Sequence, residues 1–441
     1  MIISAKNVVL ESGVTPANIQ VDDGIITGLE DYAPITEQEG IAVPDHLIVF
    51  PGIVDTHVHL NEPGRTHWEG FASGTRAAAA GGATTVIDMP LNSIPPTTTL
   101  EALYIKQDAA RTQASVDLGF WGGLVPGNLN QLEGLVQEGG VFGFKAFTLD
   151  SGVDEFPPVG QETLINGMKE IKRLDSLLIV HAEAAEELTE GLDSTQSYQE
   201  FAATRPPRAE VEAIRRVVQG VKETGCRTHI LHVTSKEAAE VIARAKADGL
   251  PITAETCPHY LTFEAASIPD GAPQYKCCPP IREQAQQDAL WQALADGTLD
   301  IVVSDHSPAD AIEKFSSEGD LMNAWGGVAG LEVSFTAVAS QATKRGIPYE
   351  TIARWMSAGP ATLVGLPQKG SIAAGKDADF VIFDPQAQQK ITAQNLQHKN
   401  PISAYDGLEI TGQVAATILR GTTIYTRESG ITENTGEFLY R

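Results

Sequence analysis

Ile48-Val49-Phe50-Pro51-Gly52-Ile53-Val54-Asp55-Thr56-His57-Val58-His59 is an apolar run that ends in two histidines. Its length and β-branched content read as a short buried strand. Residues two apart on a strand point to the same side, so the two imidazoles are aimed at one place, as a metal site requires. Taken alone, such a pair is more often structural. Working outward from it decides the matter. Seven more apolar segments follow, at Thr84 to Met89, Val116 to Trp121, Gly143 to Phe147, Leu177 to His181, Thr228 to Val233, Ile252 to Thr256 and Ile301 to Ser304. Helical patterns separate them, the clearest at Leu100 to Thr112, Gln161 to Leu174, Ala209 to Thr224 and Lys236 to Asp248, with a last one at Leu331 to Lys344. Eight β-then-α units in a row predict a (β/α)8 barrel. A doubly wound open sheet fits less well, because no GxGxxG turn opens the first unit.

The ends read differently. Residues 1 to 51 and 368 to 441 carry short β-like stretches broken by Gly, Asp and Pro, and neither end alone can bury a core. Together they predict a small β-sandwich beside a barrel spanning 52 to 367, with the termini brought together. The last stretch, Glu428 to Arg441, is expected to clamp another subunit or to be disordered.

The chain has 441 residues, 42% apolar and 20% charged, which is the balance of a globular protein. A formal net charge of -26 argues against nucleic acid and anionic membrane as partners, since both need a basic surface. Met1 to Lys6 shows no basic-then-apolar leader, and the apolar runs are too short to span a membrane. Four cysteines without CxxC spacing or a disulfide framework fit a reducing cytoplasm.

The chemistry lies where polar residues interrupt the strands. His57 and His59 end the first. Lys145 stands inside the fourth, His181 ends the fifth, His232 lies in the sixth and Asp305 follows the eighth. Catalytic groups of such barrels sit at the C-terminal ends of the strands, so these six should converge on one mouth. Each singly could be a core or rim residue; six coincidences are harder to accept. Imidazoles and carboxylates suit zinc and its neighbours. An ammonium does not. A lysine held neutral by burial and nearby metal charge can react with carbon dioxide, giving an anionic carbamate whose two oxygens bridge two cations. His229 lies three residues before His232, so strand alternation places it on the outside of the barrel. His67, His259 and His306 fall in loops near the mouth, and His46 and His398 outside the barrel.

With these residues in place, the chain resembles the cyclic amidohydrolases, which include dihydroorotases, hydantoinases, dihydropyrimidinases and allantoinases. The likeness runs through Pro51 to His59, the Lys145 strand, Val180-His181-Ala182-Glu183 and His232-Val233-Thr234-Ser235. It continues through Glu255-Thr256-Cys257-Pro258-His259-Tyr260-Leu261, Cys278-Pro279-Pro280-Ile281-Arg282, Ser304-Asp305-His306-Ser307-Pro308 and Gly375 to Phe380. The resemblance implies a divalent ion, zinc by donor type, on His57, His59 and Asp305. It implies a second on His181 and His232, with N6-carboxylated Lys145 bridging both. It also implies that Asp305 moves the proton in ring opening, and that the chain forms a homo-oligomer, a tetramer by analogy.

Within the family, Leu60 to Phe71 and Met89-Pro90-Leu91-Asn92-Ser93 are similar to allantoinases. Dihydroorotases usually carry arginine and asparagine for the substrate carboxylate where this chain has Asn61 and Leu91. A pocket without that arginine lacks the charge-assisted fork a carboxylate needs, whereas allantoin is a neutral hydantoin ring bearing a ureido group. The expected activity is therefore hydrolysis of the cyclic amide of allantoin to allantoate. Hydantoinase or dihydropyrimidinase activity is the alternative, dihydroorotase activity the third, and a non-catalytic scaffold the last. Asn92 and the main chain near Cys278 and Gly327 are the expected ring contacts. Thr148 to Ser151 offer no tyrosine for the oxyanion, a group that hydantoinases commonly place there.

Overall fold

The protein is described by a computed structural model covering all residues except Glu37 and Glu433. Eight barrel strands follow in chain order: Ile53–Val58, Ala83–Asp88, Asp117–Phe120 with its continuation Gly122–Gly123, Phe144–Phe147, Leu178–His181, Thr228–Ile230, Ile252–Thr256 and Ile301–Val302. Each runs parallel to the next. A bridge between Val58 and His306 joins the last to the first. The strands are buried almost throughout, which is why they read as near-continuous apolar runs.

Helices cover the outside; Phe71–Ala80 and Ser334–Lys344 are buried nearly all round, while the more exposed helices bury one stripe. In Pro207–Thr224 the buried positions include Ile214, Val217, Val218 and Val221, spaced by three and four. Proline begins this helix, and Gly225 in the left-handed conformation ends it. A helical segment from Tyr349 to Val364, with one wide turn at Arg354–Ala358, extends the last unit beyond the eight helices read from the sequence.

The two ends of the chain meet in one hydrogen-bonded sheet of nine strands. Ile48–Pro51, the strand immediately before the barrel, lies between Ile2–Leu10 and Phe380–Lys390 and stitches the termini together. Ile3, Ile19, Val49, Phe380, Ile382 and Ile418 fill its core. At its junction with the barrel, buried Lys369 reaches Asp117 at 2.6 Å, Asp377 at 2.7 Å and Asp379 at 2.8 Å. A cation so enclosed is tolerable only with such partners.

The C-terminal segment packs on its own barrel, which corrects the expectation of disorder. Leu118 donates to Glu437 O and accepts from Leu439 N, both at 2.9 Å, and Phe438 packs edge-on against Phe120. A Cβ at Gly436 would meet Val116 O at 2.0 Å, so only glycine allows this approach. The fourth barrel strand pairs with the third only from Gly122 onward. The tail thus supplies partners to backbone groups that would otherwise be orphaned. Deleting residues 434 to 441 should lower the thermal midpoint; an unchanged midpoint in a thermal scan would show that the segment adds no stability.

Candidate metal centre and active site

Where the barrel strands end, a cavity of about 560 Å³ opens, walled by His59, Leu91, Asn92, Lys145, His181, Arg205, His232, Cys278, Asp305, Trp325 and Gly327 among others. His57 lies fully buried beside it. A larger crevice, of about 690 Å³, lies against Val9 to Glu11 and the 350 to 372 segment and contains none of these groups.

The six expected ligands come together. His57 Nε2 is 3.0 Å from Asp305 Oδ1 and 3.3 Å from Lys145 Nζ, and His59 Nε2 is 3.6 Å from the same carboxylate oxygen. The His232 ring stands 5.5 Å from His57 and 4.6 Å from His181, centroid to centroid. His57, His59 and Asp305 are close enough to hold a single ion. Two of the six depend on unusual backbone. His232 has φ 39° and Asp305 φ 44°, both just beyond a strand end. A left-handed residue there breaks the alternation of the strand and turns the side chain into the mouth.

That break corrects the placement of His229. It stands in register with Ile179 and Thr253, inside the strand, and is not on the outside of the barrel. Its Nε2 is 2.9 Å from Glu255 Oε2, and its Nδ1 2.7 Å from Thr253 Oγ1. Glu255 Oε1 in turn lies 2.5 Å from His57 Nδ1. His229 and Glu255 thus form a shelf that fixes the ring of His57. Glu183 does the same for His181, whose Nε2 it meets at 2.8 Å, leaving Nδ1 for the centre. Orienting partners of this kind hold a metal-binding histidine in one tautomer. His232→Gln should cost one bound ion. His229→Gln should keep both ions but weaken affinity by about 10–100-fold, as read by competition with a chelator; wild-type affinity in the second variant would remove the shelf from the account.

Asn92 lies on the wall with its amide 3.4 Å from His59 Nδ1. Cys278 is half-buried there. Gly327 has φ 126°, and a Cβ would meet Ser307 O at 2.3 Å. Its N–H is spent on Lys276 O at 2.7 Å and its carbonyl accepts from Lys314 Nζ at 2.5 Å, so Gly327 shapes the wall. His306 is structural: its Nδ1 accepts from the N–H groups of Gly330 and Leu331, and its Nε2 faces Glu69. His259 is buried near Asp305 with no partner for either nitrogen among the described residues. His67 is exposed, and His398 is buried against Ile402 O.

The electrostatics favour a cation at this point. Burial, with Lys145 nearby, lowers His59 to about 3. Burial also lowers His181 and His232. Three imidazoles are thus held in the neutral form that metal binding needs. Burial opposes a charge on His57 too, yet the carboxylates of Asp305 and Glu255 raise it to about 9. The field that retains a proton there is the field a metal ion would use. Burial lowers the Lys145 ammonium to about 8, which eases access to the reactive neutral amine. The donor set therefore fits metal, with three imidazoles neutral and with His57 and His181 oriented from behind by Glu255 and Glu183.

The comparisons agree with this geometry. Residues 48–424 match the amidohydrolase family. The chain is 47% identical to an allantoinase of Streptomyces avermitilis, covering 100% of this chain and 98% of that one. It is 43% identical to an allantoinase of Saccharomyces cerevisiae, covering 96% and 90%. Among solved structures, the L-hydantoinase (dihydropyrimidinase) from Arthrobacter aurescens superposes with a TM-score of 0.93 at 31% identity, over the whole of both chains. With the fold, the converging donors and the full-length matches in agreement, the chain belongs to the amidohydrolase family.

Proposed function

We propose that this chain is a binuclear metal-dependent hydrolase that opens the cyclic amide of allantoin to give allantoate. The observation that carries the reading is the convergence of His59, Lys145, His181, His232 and Asp305 on one cavity, with His57 buried directly beside it, in a chain similar over its full length to allantoinases. His57, His59 and Asp305 would hold one ion, His181 and His232 the other, and Lys145, carboxylated by carbon dioxide, would bridge them. Two divalent ions, zinc by donor type, would supply a water of lowered pKa and polarise the scissile carbonyl. Asp305, with Oδ1 facing His57 and His59, would be the residue that holds the proton released in the attack and delivers it to the leaving ring nitrogen. Asn92 and the wall formed by Cys278 and Gly327 position the ring.

The neutral substrate is favoured by what the pocket lacks. Leu91 is on the wall, and Asn61 is turned away, its amide donating to Pro308 O at 3.3 Å. Neither position offers a fork for a carboxylate. Hydantoinase or dihydropyrimidinase activity is the second reading, supported by the likeness in shape to the L-hydantoinase. A panel of allantoin, hydantoin, dihydrouracil and dihydroorotate on metal-loaded protein separates the readings. Allantoin should be turned over best and dihydroorotate not at all; efficient dihydroorotate hydrolysis would put the pyrimidine reading in its place. We further propose a cytoplasmic homo-oligomer, a tetramer by analogy, with light scattering as the check. Among the described residues no helix is long and apolar enough to cross a membrane.

A further inference from the structure

Arg205 stands on the cavity wall with Lys145, His181 and Asp305, yet the chemistry above does not use it. It follows the short helix Tyr198–Thr204 and precedes Pro206 and Pro207. Its N–H donates to Ala202 O at 3.1 Å and its carbonyl accepts from Arg282 Nη1 at 3.1 Å, so the backbone is pinned on both sides. Nε donates to Glu183 Oε1 at 3.1 Å and Nη2 to Glu183 Oε2 at 2.7 Å. Glu183 is fully buried. Two of the three guanidinium nitrogens are thereby consumed. The third, Nη1, has no partner among the described residues and is not one of the enclosed, unsatisfied atoms.

The result is a rigid donor edge at the cavity, with its charge balanced from behind by a buried carboxylate. An unpaired guanidinium would select an anionic substrate. One already paired with a glutamate keeps its N–H donors and offers little net charge, which suits a neutral carbonyl. We propose that Arg205 is the specificity-determining residue, with Nη1 donating to the carbonyl of the substrate's ureido substituent. This rests on the allantoin reading above and names the group that distinguishes allantoin from the unsubstituted hydantoin ring.

The test compares wild type with Arg205→Lys and Arg205→Gln at equal metal content. Lysine retains a cation for Glu183 and removes the fork. For allantoin, kcat/KM should fall by about 10–100-fold, mainly through KM, as for loss of a charge-assisted hydrogen bond. For hydantoin, Arg205→Lys should change it by less than about threefold, because that ring has no ureido group to lose the bond, whereas Arg205→Gln, which strips buried Glu183 of its cation, serves as the control for loss of that support. Calorimetric titration of both compounds into Asp305→Asn protein, with and without Arg205→Lys, reads the same selectivity without turnover. Equal losses on the two compounds would overturn the proposal and reduce Arg205 to a support for Glu183 and His181. No loss on either would overturn it as well. If wild type turns over hydantoin but neither hydrolyses nor binds allantoin, the allantoin reading fails and this proposal with it; if allantoin is a good substrate and only the selectivity is unchanged, Arg205 alone is wrong.

Discussion

Lys145→Ala should abolish activity and leave the protein unable to hold two metal ions. Lys145 Nζ lies 3.3 Å from His57 Nε2, inside a ring of histidines, at a position where an ammonium would repel metal. On the proposed reading the nitrogen is neutral and then carboxylated, and burial favours the neutral form. Alanine would then remove the anion that both ions would share and leave the remaining ligands as two incomplete sets. The loss should therefore exceed that of any single histidine variant. Short carboxylic acids added to the variant should restore part of the turnover, because they supply an anion of the same shape. Metal content by atomic absorption and allantoate formation are the two readouts. A variant with two ions and near-normal rates would show that Lys145 is no bridge.

Asp305→Asn, brought to full metal content, should lose kcat by about 10²–10⁴-fold, the usual range for a general acid–base group, with a much smaller change in KM. The amide keeps the shape of the side chain and its distance to His57 and His59 but can neither accept the proton nor return it. Although burial works against its charge, the histidines around Asp305 hold its carboxyl well below the ordinary range, so it is the anion that faces the cavity. A kcat only a few-fold reduced would remove Asp305 from proton transfer and leave it a ligand alone.

The barrel and the cluster of candidate ligands were legible because a buried strand tolerates few polar side chains. Histidines 57, 59, 181 and 232, Lys145 and Asp305 stand out against apolar neighbours, at the strand ends where such barrels place their chemistry. What could not be read was anything set by a neighbouring strand or a broken alternation. The inward face of His229 follows from register with Ile179 and Thr253 and from the left-handed residue at His232, neither of which has a signature in the spacing of the two histidines. Glu255 and Glu183 lie within recognisable motifs, but Glu255 meets His57 from the first barrel strand, 198 residues earlier, and Glu183 meets Arg205 from beyond a separate short helix. The destination of the tail was equally hidden. Its polar, glycine-containing sequence suggests disorder, whereas its place is set by an open strand edge more than 300 residues earlier. The spent carbonyl of Gly327 depends on a buried lysine, Lys314, whose charge alone would place it in solvent.

On the proposed reading, allantoin hydrolysis is carried out by a two-metal centre built on these six side chains. This is tested most directly by stripping the protein with chelator, adding zinc back in bicarbonate buffer, and following allantoate formation against metal bound per chain. The account predicts no product from the stripped protein and a rate that climbs to a plateau at two ions per chain. Full activity without metal, a plateau reached at one ion, or no allantoate at any metal content would contradict it.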